Sequence, residues 1–232
     1  MFDIIAFDAD DTLWHNETNY LHLRKLCVEV LSRYHAPEKV TEYLNQKDVS
    51  NVDIYGYGIK SYMLSMLETA TEMTKGSITT GEIKSFLENG KTILTQTPEL
   101  LDGVVECLKT LSRDYPLMII TKGEQMEQLD KINRSGLANY FRHIEIVSEK
   151  SPTTYQTLLN RNKINPARFL MVGNSLKSDI IPVLELGSRA VYIPYPLTWF
   201  HEHVSDEGRQ EYNYFELEHL SQLPGLIISL QR

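Results

Sequence analysis

Short apolar runs punctuate this 232-residue chain: Ile4-Ile5-Ala6, then PLMII at 116–120, HIEIV at 143–147, RFLMV at 168–172 and RAVYI at 189–193. Each holds a handful of mostly continuous hydrophobic positions, which predicts strands covered on both faces in a parallel sheet. Helical patterns separate them. Thr97-Pro98 reads as an N-cap with proline in the first turn, followed by the periodic Leu101, Val104, Val105, Leu108 and Leu111. Ser151-Pro152 opens a second such helix, and Gly136 and Gly187 stand where the helices after the second and fourth strands should end. Alternation of strand and helix from 97 to about 194 predicts an α/β fold, a doubly wound parallel sheet with right-handed crossovers.

Residues 15–96 break that rhythm. Tyr20, Leu23, Cys27, Val30, Leu31 and Tyr34 share one helical face, and Ile59, Met63, Met66, Leu67, Ala70 and Met73 share another. Pro37 marks the start of a second helix, and Thr79-x-x-Glu82 is a capping box opening a fourth. The expectation is an all-helical module, residues 15–96, inserted into an α/β core made of 1–14 and 97–232. The methionine stripe reads as bundle core. Tyr55 to Lys60, with glycines at 56 and 58, reads equally as a substrate-facing turn or as a helix start.

Composition narrows the function. Hydrophobic residues make up 42% and charged residues 23%, which places the chain among ordinary globular proteins. Net charge is −8, with no cluster of Lys and Arg, so the electrostatic footprint of a nucleic-acid binder is missing. Cys27 and Cys107 lie in apolar-periodic segments without metal-ligand spacing and are expected to be buried thiols. No run approaches the length of a membrane span, and a cytoplasmic enzyme of small molecules is the expectation.

In open α/β sheets ligands bind beyond the carboxyl ends of the strands, so the residues just after each run can be taken together. They are Asp8, Asp10 and Thr12; Thr121, Lys122 and Gly123; Glu149 and Lys150; Gly173, Asn174, Ser175 and Asp179. Carboxylates, lysine, hydroxyl and amide converging on one crevice suit magnesium and phosphate. Magnesium takes hard oxygen ligands, which Asp8, Asp179 and the Asn174 oxygen can offer. Asp8, at the strand end, is the candidate nucleophile, and Lys150 the cation that offsets repulsion between it and an anionic phosphate. Asp10, two residues on, is placed on the same side of an extended chain, where it could act as general acid and base.

These motifs resemble those of the haloacid dehalogenase-like superfamily of hydrolases, in the magnesium-dependent phosphatase branch with a helical cap. DADDT is similar to its first motif, Thr121 in IITKG to its second, Lys150 to its third and GNSLKSD (173–179) to its fourth. The resemblance implies a layered, Rossmann-like core with Asp8 as nucleophile and Asp10 as acid/base. It implies Mg2+ held by the Asp8 carboxylate, the Asp10 backbone carbonyl and a fourth-motif side chain, either Asn174 or Asp179. Phosphate would be gripped by Thr121 and Lys150, with Thr12 and Lys122 beside them, and the cap would close over a small phosphorylated metabolite. The chain departs from the pattern at Asp11, where glycine is common, at Lys122 in place of asparagine, at Gly-Asn in place of Gly-Asp, and at Ser151-Pro152 after the lysine.

Two rivals come with the reading. A 2-haloacid dehalogenase would dispense with the second carboxylate, which Asp10 argues against. A phospho-accepting signalling domain, or a silent binding module, would share the acidic cluster but not the helical insertion. In the stretch 192–203, Tyr195, Trp199, His201 and His203 approach the same sheet edge, and the histidine pair reads as surface loop because it has no third ligand.

Overall fold

The computed structural model describes residues 2–197 and 212–230. Trp199, His201 and His203 lie outside the described residues. The chain forms two compact units, residues 1–15 with 98–232 and residues 16–97.

The first unit is built on six parallel strands in the order β3-β2-β1-β4-β5-β6. They are β1 (Ile4–Phe7), β2 (Leu117–Lys122), β3 (His143–Val147), β4 (Phe169–Gly173), β5 (Arg189–Tyr192) and β6 (Phe215–Glu216). Strands β1, β2, β4 and β5 are almost wholly buried, as continuous apolar runs require. The run at 143–147 is a strand too, but only half-buried, because it stands at the edge of the sheet. The sixth strand is two residues long and carries no apolar run.

Alternate residues of each strand face opposite sides. Ile5, Phe7, Ile119 and Val172 join a cluster with Cys107 and Leu108 of a helix at Val104–Leu111, Ile132 of another at Gln125–Arg134, and Leu223 and Ile227 of a third at Leu223–Ser229. Ile4, Ala6, Ile120 and Met171 join a cluster with Tyr155, Leu158 and Leu159 of the helix Pro152–Arg161 and with Val183 of the short helix Ile181–Leu184. The sheet is thus doubly wound, with helices on both faces.

Thr97-Pro98 does not cap a helix. The helix begins six residues later, at Val104, after Gly103 in a left-handed conformation. The intervening chain is claimed by tertiary pairing: Leu100 bridges Trp14, Leu101 N–H donates to Leu13 O at 3.0 Å, and His15 N–H donates to Glu99 O at 2.9 Å. Ser151 does cap its helix, accepting from Thr154 N–H, and Gly136 and Gly187 take the positive φ expected past helix ends.

The second unit is four helices, α1 (Glu17–Leu31), α2 (Pro37–Tyr55), α3 (Ile59–Met73) and α4 (Thr80–Thr95). Its core contains Leu23, Cys27, Leu44, Met63, Met66 and Phe86. Thr79 and Glu82 form the expected capping box. Gly56 ends α2 and Gly58 precedes α3, so the glycines at 56 and 58 serve a helix-to-helix turn. In the core unit the helices continue as α5 (Val104–Leu111), α6 (Gln125–Arg134), α7 (Pro152–Arg161), α8 (Ile181–Leu184) and α9 (Leu223–Ser229). No helix among the described residues is long and apolar enough to cross a membrane.

Candidate active site

The strand order places β1 at the centre of the sheet with β2 and β4 on either side, and Asp8 follows β1 directly. Its N–H continues the ladder, donating to Val172 O at 2.9 Å. The chain then turns sharply: Leu13 N–H returns to Ala9 O at 2.8 Å, and Asp11 adopts φ 61°. A left-handed residue there explains why glycine would suit the position, and aspartate is among the few other residues that tolerate it.

Lys150 enters from the segment after β3 and is buried. Its Nζ donates to Asp8 Oδ1 at 2.5 Å and to Asp179 Oδ1 at 2.6 Å. Burial raises the Asp8 pKa; Lys150 counters this and Asp179 adds to it, and the carboxyl is pushed up to about 7. Burial alone would lower the Lys150 pKa, but Asp179 and Asp8 outweigh it and hold the ammonium charged.

Both oxygens of Asp179 are taken, Oδ1 by Lys150 and Oδ2 by Ser175 N–H at 3.0 Å. This carboxylate sits on a π-turn, Leu176–Ile180, of the kind often found at functional sites. A Cβ on Gly173 would collide with the Asp179 carboxylate, so glycine at the end of β4 is a packing requirement.

Asn174 faces the other side of Asp8. One end of its amide lies 3.1 Å from Asp8 Oδ2, 3.2 Å from the Asp10 main-chain O and 3.1 Å from Thr12 Oγ1. Nitrogen at that end donates to the carboxylate and the carbonyl. Oxygen at that end lies about 3 Å from each of these acceptors, the spacing of neighbouring ligand oxygens around magnesium. The donor set therefore fits a small hard cation. Thr12 Oγ1 also reaches Asp8 Oδ2 at 3.5 Å.

Thr121, the penultimate residue of β2, is buried, and its hydroxyl oxygen has no hydrogen-bond partner among the described residues. A buried hydroxyl without a partner is costly, which marks it as waiting for a polar ligand. Lys122 Nζ lies 3.3 Å from Ser178 Oγ and 3.8 Å from Glu149 Oε1.

Asp10 has partners that the sequence analysis did not name. Its carboxylate is held by α6. Lys131 Nζ donates to both oxygens at 2.7 Å, Gln128 Nε2 to Oδ2 at 2.8 Å, and the buried Trp14 Nε1 to Oδ1 at 2.7 Å. Burial would raise the Asp10 pKa, but Lys131, aided by Gln128 and Trp14, holds it below the ordinary carboxylate value. The sequence reading missed Gln128 and Lys131. Their signal is their spacing, since residues three apart share one face of a helix.

The site thus sits on a doubly wound parallel sheet, with an aspartate at the end of a central strand and a buried lysine on it. A family model for haloacid dehalogenase-like hydrolases matches residues 5–193, and the chain belongs to that family. It is similar to the crystal structure of a haloacid dehalogenase-like family hydrolase from Xanthomonas campestris, with 35% identity, a TM-score of 0.87, and coverage of 99% of this chain and 91% of that one. Among curated proteins it is 26% identical to glyceraldehyde 3-phosphate phosphatase of Pyrococcus furiosus, over 99% of this chain and 93% of that protein. It is 25% identical to N-acylneuraminate-9-phosphatase of Homo sapiens, over 80% of this chain and 79% of that protein.

Proposed function

We propose that this hydrolase is a magnesium-dependent phosphatase of a small phosphorylated metabolite, working through an aspartyl-phosphate on Asp8. The observation that carries the reading is the Asp8 carboxylate, buried at the end of β1 with one oxygen on Lys150 and the other beside Asn174 and Thr12. The names of the two curated relatives support the substrate class.

Asp8 attacks phosphorus, which forms the acyl phosphate and releases the alcohol. Asp10, which Lys131 holds ionised at rest, takes a proton from the water that hydrolyses the intermediate and must carry that proton to give it to the leaving oxygen of the next ester. Lys150 and the Thr121 hydroxyl hold the phosphoryl oxygens, and Asp179 holds Lys150 in place. The Asp8 carboxylate, the Asp10 carbonyl and the Asn174 amide oxygen would hold Mg2+, whose charge would offset repulsion between carboxylate and phosphate. Asp179 is not among them in this reading: it holds Lys150 through Oδ1 and the Ser175 N–H through Oδ2. Lys122 anchors the π-turn through Ser178 rather than gripping phosphate. Residues 1–15 and 98–232 are the catalytic core, and the helical unit is its cap. The buried, unpaired Cys27 and Cys107 support a reducing, cytoplasmic setting.

The test is a panel of sugar, nucleotide and acyl phosphates, assayed with magnesium and with chelator, on the wild type and Asp8→Asn. The expected result is magnesium-dependent release of phosphate that Asp8→Asn abolishes. Normal turnover by Asp8→Asn, or hydrolysis of 2-haloacids in chelator with none of phosphate esters, overturns the reading.

A further inference from the structure

We infer that Lys131 and Gln128 are positioning residues for the proton-transfer carboxylate, acting as a two-pronged support that α6 extends to Asp10. The inference rests on the reading of Asp10 as acid and base.

Asp10 is on a turn, where a side chain would otherwise be free to rotate. Instead each of its oxygens receives two donors: Trp14 and Lys131 on Oδ1, Gln128 and Lys131 on Oδ2. A charge-assisted set of this kind fixes the plane of the carboxylate as well as its place. Trp14 is four residues away on the same turn, whereas Gln128 and Lys131 tie Asp10 to a separate helix. The support is itself built in. Gln128 is buried and its amide also donates to Lys122 O at 3.1 Å, which pins it to the end of β2. Gly123 lets it come so close: a Cβ there would lie 2.8 Å from Gln128 Nε2. Gln128 Oε1, by contrast, has no partner among the described residues, so hydrogen bonding along one edge of the amide is what orients it.

Lys131 holds Asp10 ionised at rest, so the proton it delivers is the one it takes up from the hydrolytic water; delivery then depends on its lying within hydrogen-bond reach of the leaving oxygen, and the value of that proton depends on the leaving group. An aliphatic alkoxide needs a proton as it departs, whereas p-nitrophenolate leaves unaided. The experiment compares kcat/KM, which reports events up to leaving-group departure, for an alkyl phosphate and for p-nitrophenyl phosphate. Lys131→Met should lower kcat/KM on the alkyl ester about 100-fold and on p-nitrophenyl phosphate less than about 10-fold. Lys131→Arg should recover most of the loss. Gln128→Leu should show the same split, smaller, and decides the matter if Lys131→Met fails to fold. An equal fall on both esters would mean a structural or substrate-binding role, and no fall would mean no role. Either overturns the inference while wild-type turnover leaves the phosphatase reading standing. A wild type that hydrolyses neither ester with magnesium would remove that reading, and this inference with it.

Discussion

Lys150 Nζ lies 2.5 Å from Asp8 Oδ1, and both residues are buried. With Asp179 at 2.6 Å, one ammonium is shared by two carboxylates. Removing the cation leaves two facing negative charges away from water. Lys150→Met should therefore abolish activity and destabilise the fold by about 3 to 5 kcal/mol at neutral pH. Melting curves at pH 7 and pH 4 check this, since protonating the carboxylates should remove most of the penalty.

The raised pKa of Asp8 has a sign that can be measured. The folded group binds its proton more tightly than the unfolded one, whose value is near 3.8, so stability present below pH 3.8 is lost as pH rises through about 7. Three units correspond to a ceiling of about 4 kcal/mol. In chelator, Asp8→Asn should be more stable than the wild type at pH 8 and nearly equal to it at pH 4. Equal pH dependence of the two melting temperatures would contradict the assignment.

Asn174 is neutral where a carboxylate is common in the family it resembles. If its oxygen faces the cation, Asn174→Asp adds a negative ligand and should lower the magnesium concentration for half-maximal activity roughly tenfold. Magnesium should also raise the melting temperature of this variant more than that of the wild type. Titration of activity and thermal shifts with magnesium reads both.

Gly173 is closed to any side chain by the Asp179 carboxylate. Gly173→Ala should cost about 1 to 3 kcal/mol, a fall in melting temperature of roughly 5 °C, because the π-turn that holds Asp179 must move. Activity should fall with it, since Asp179 would lose its hold on Lys150. A control at Gly136, where a Cβ meets nothing within 4 Å, carries only the strain of its φ of 74°.

The core strands were legible because burial on both faces leaves little room for polar residues, and the same logic put Asp8, Lys150 and Asn174 at strand ends. Residues 215–216 form a strand too short to carry a pattern. The Thr97-Pro98 start was a sound local signal overruled by pairing of residues 99–101 with 13–15, contacts about 85 residues apart that no local window contains. Asp10 was legible as a residue but not in its partners: Gln128 and Lys131 stand 118 and 121 residues further along, a pairing that no local window contains. Gln128 and Lys131 looked like ordinary polar positions on a helix. Only the fold reveals that their face meets Asp10.

The central claim is that Asp8 bonds covalently to phosphorus. Rapid acid quenching of the wild type with a 32P-labelled substrate ester, followed by peptide mapping, tests it most directly. The expected result is a transient, hydroxylamine-labile label on the peptide carrying Asp8, formed with magnesium and missing in chelator and in Asp8→Asn. Turnover of the ester with no label at any time, or with the label on another residue, would contradict it.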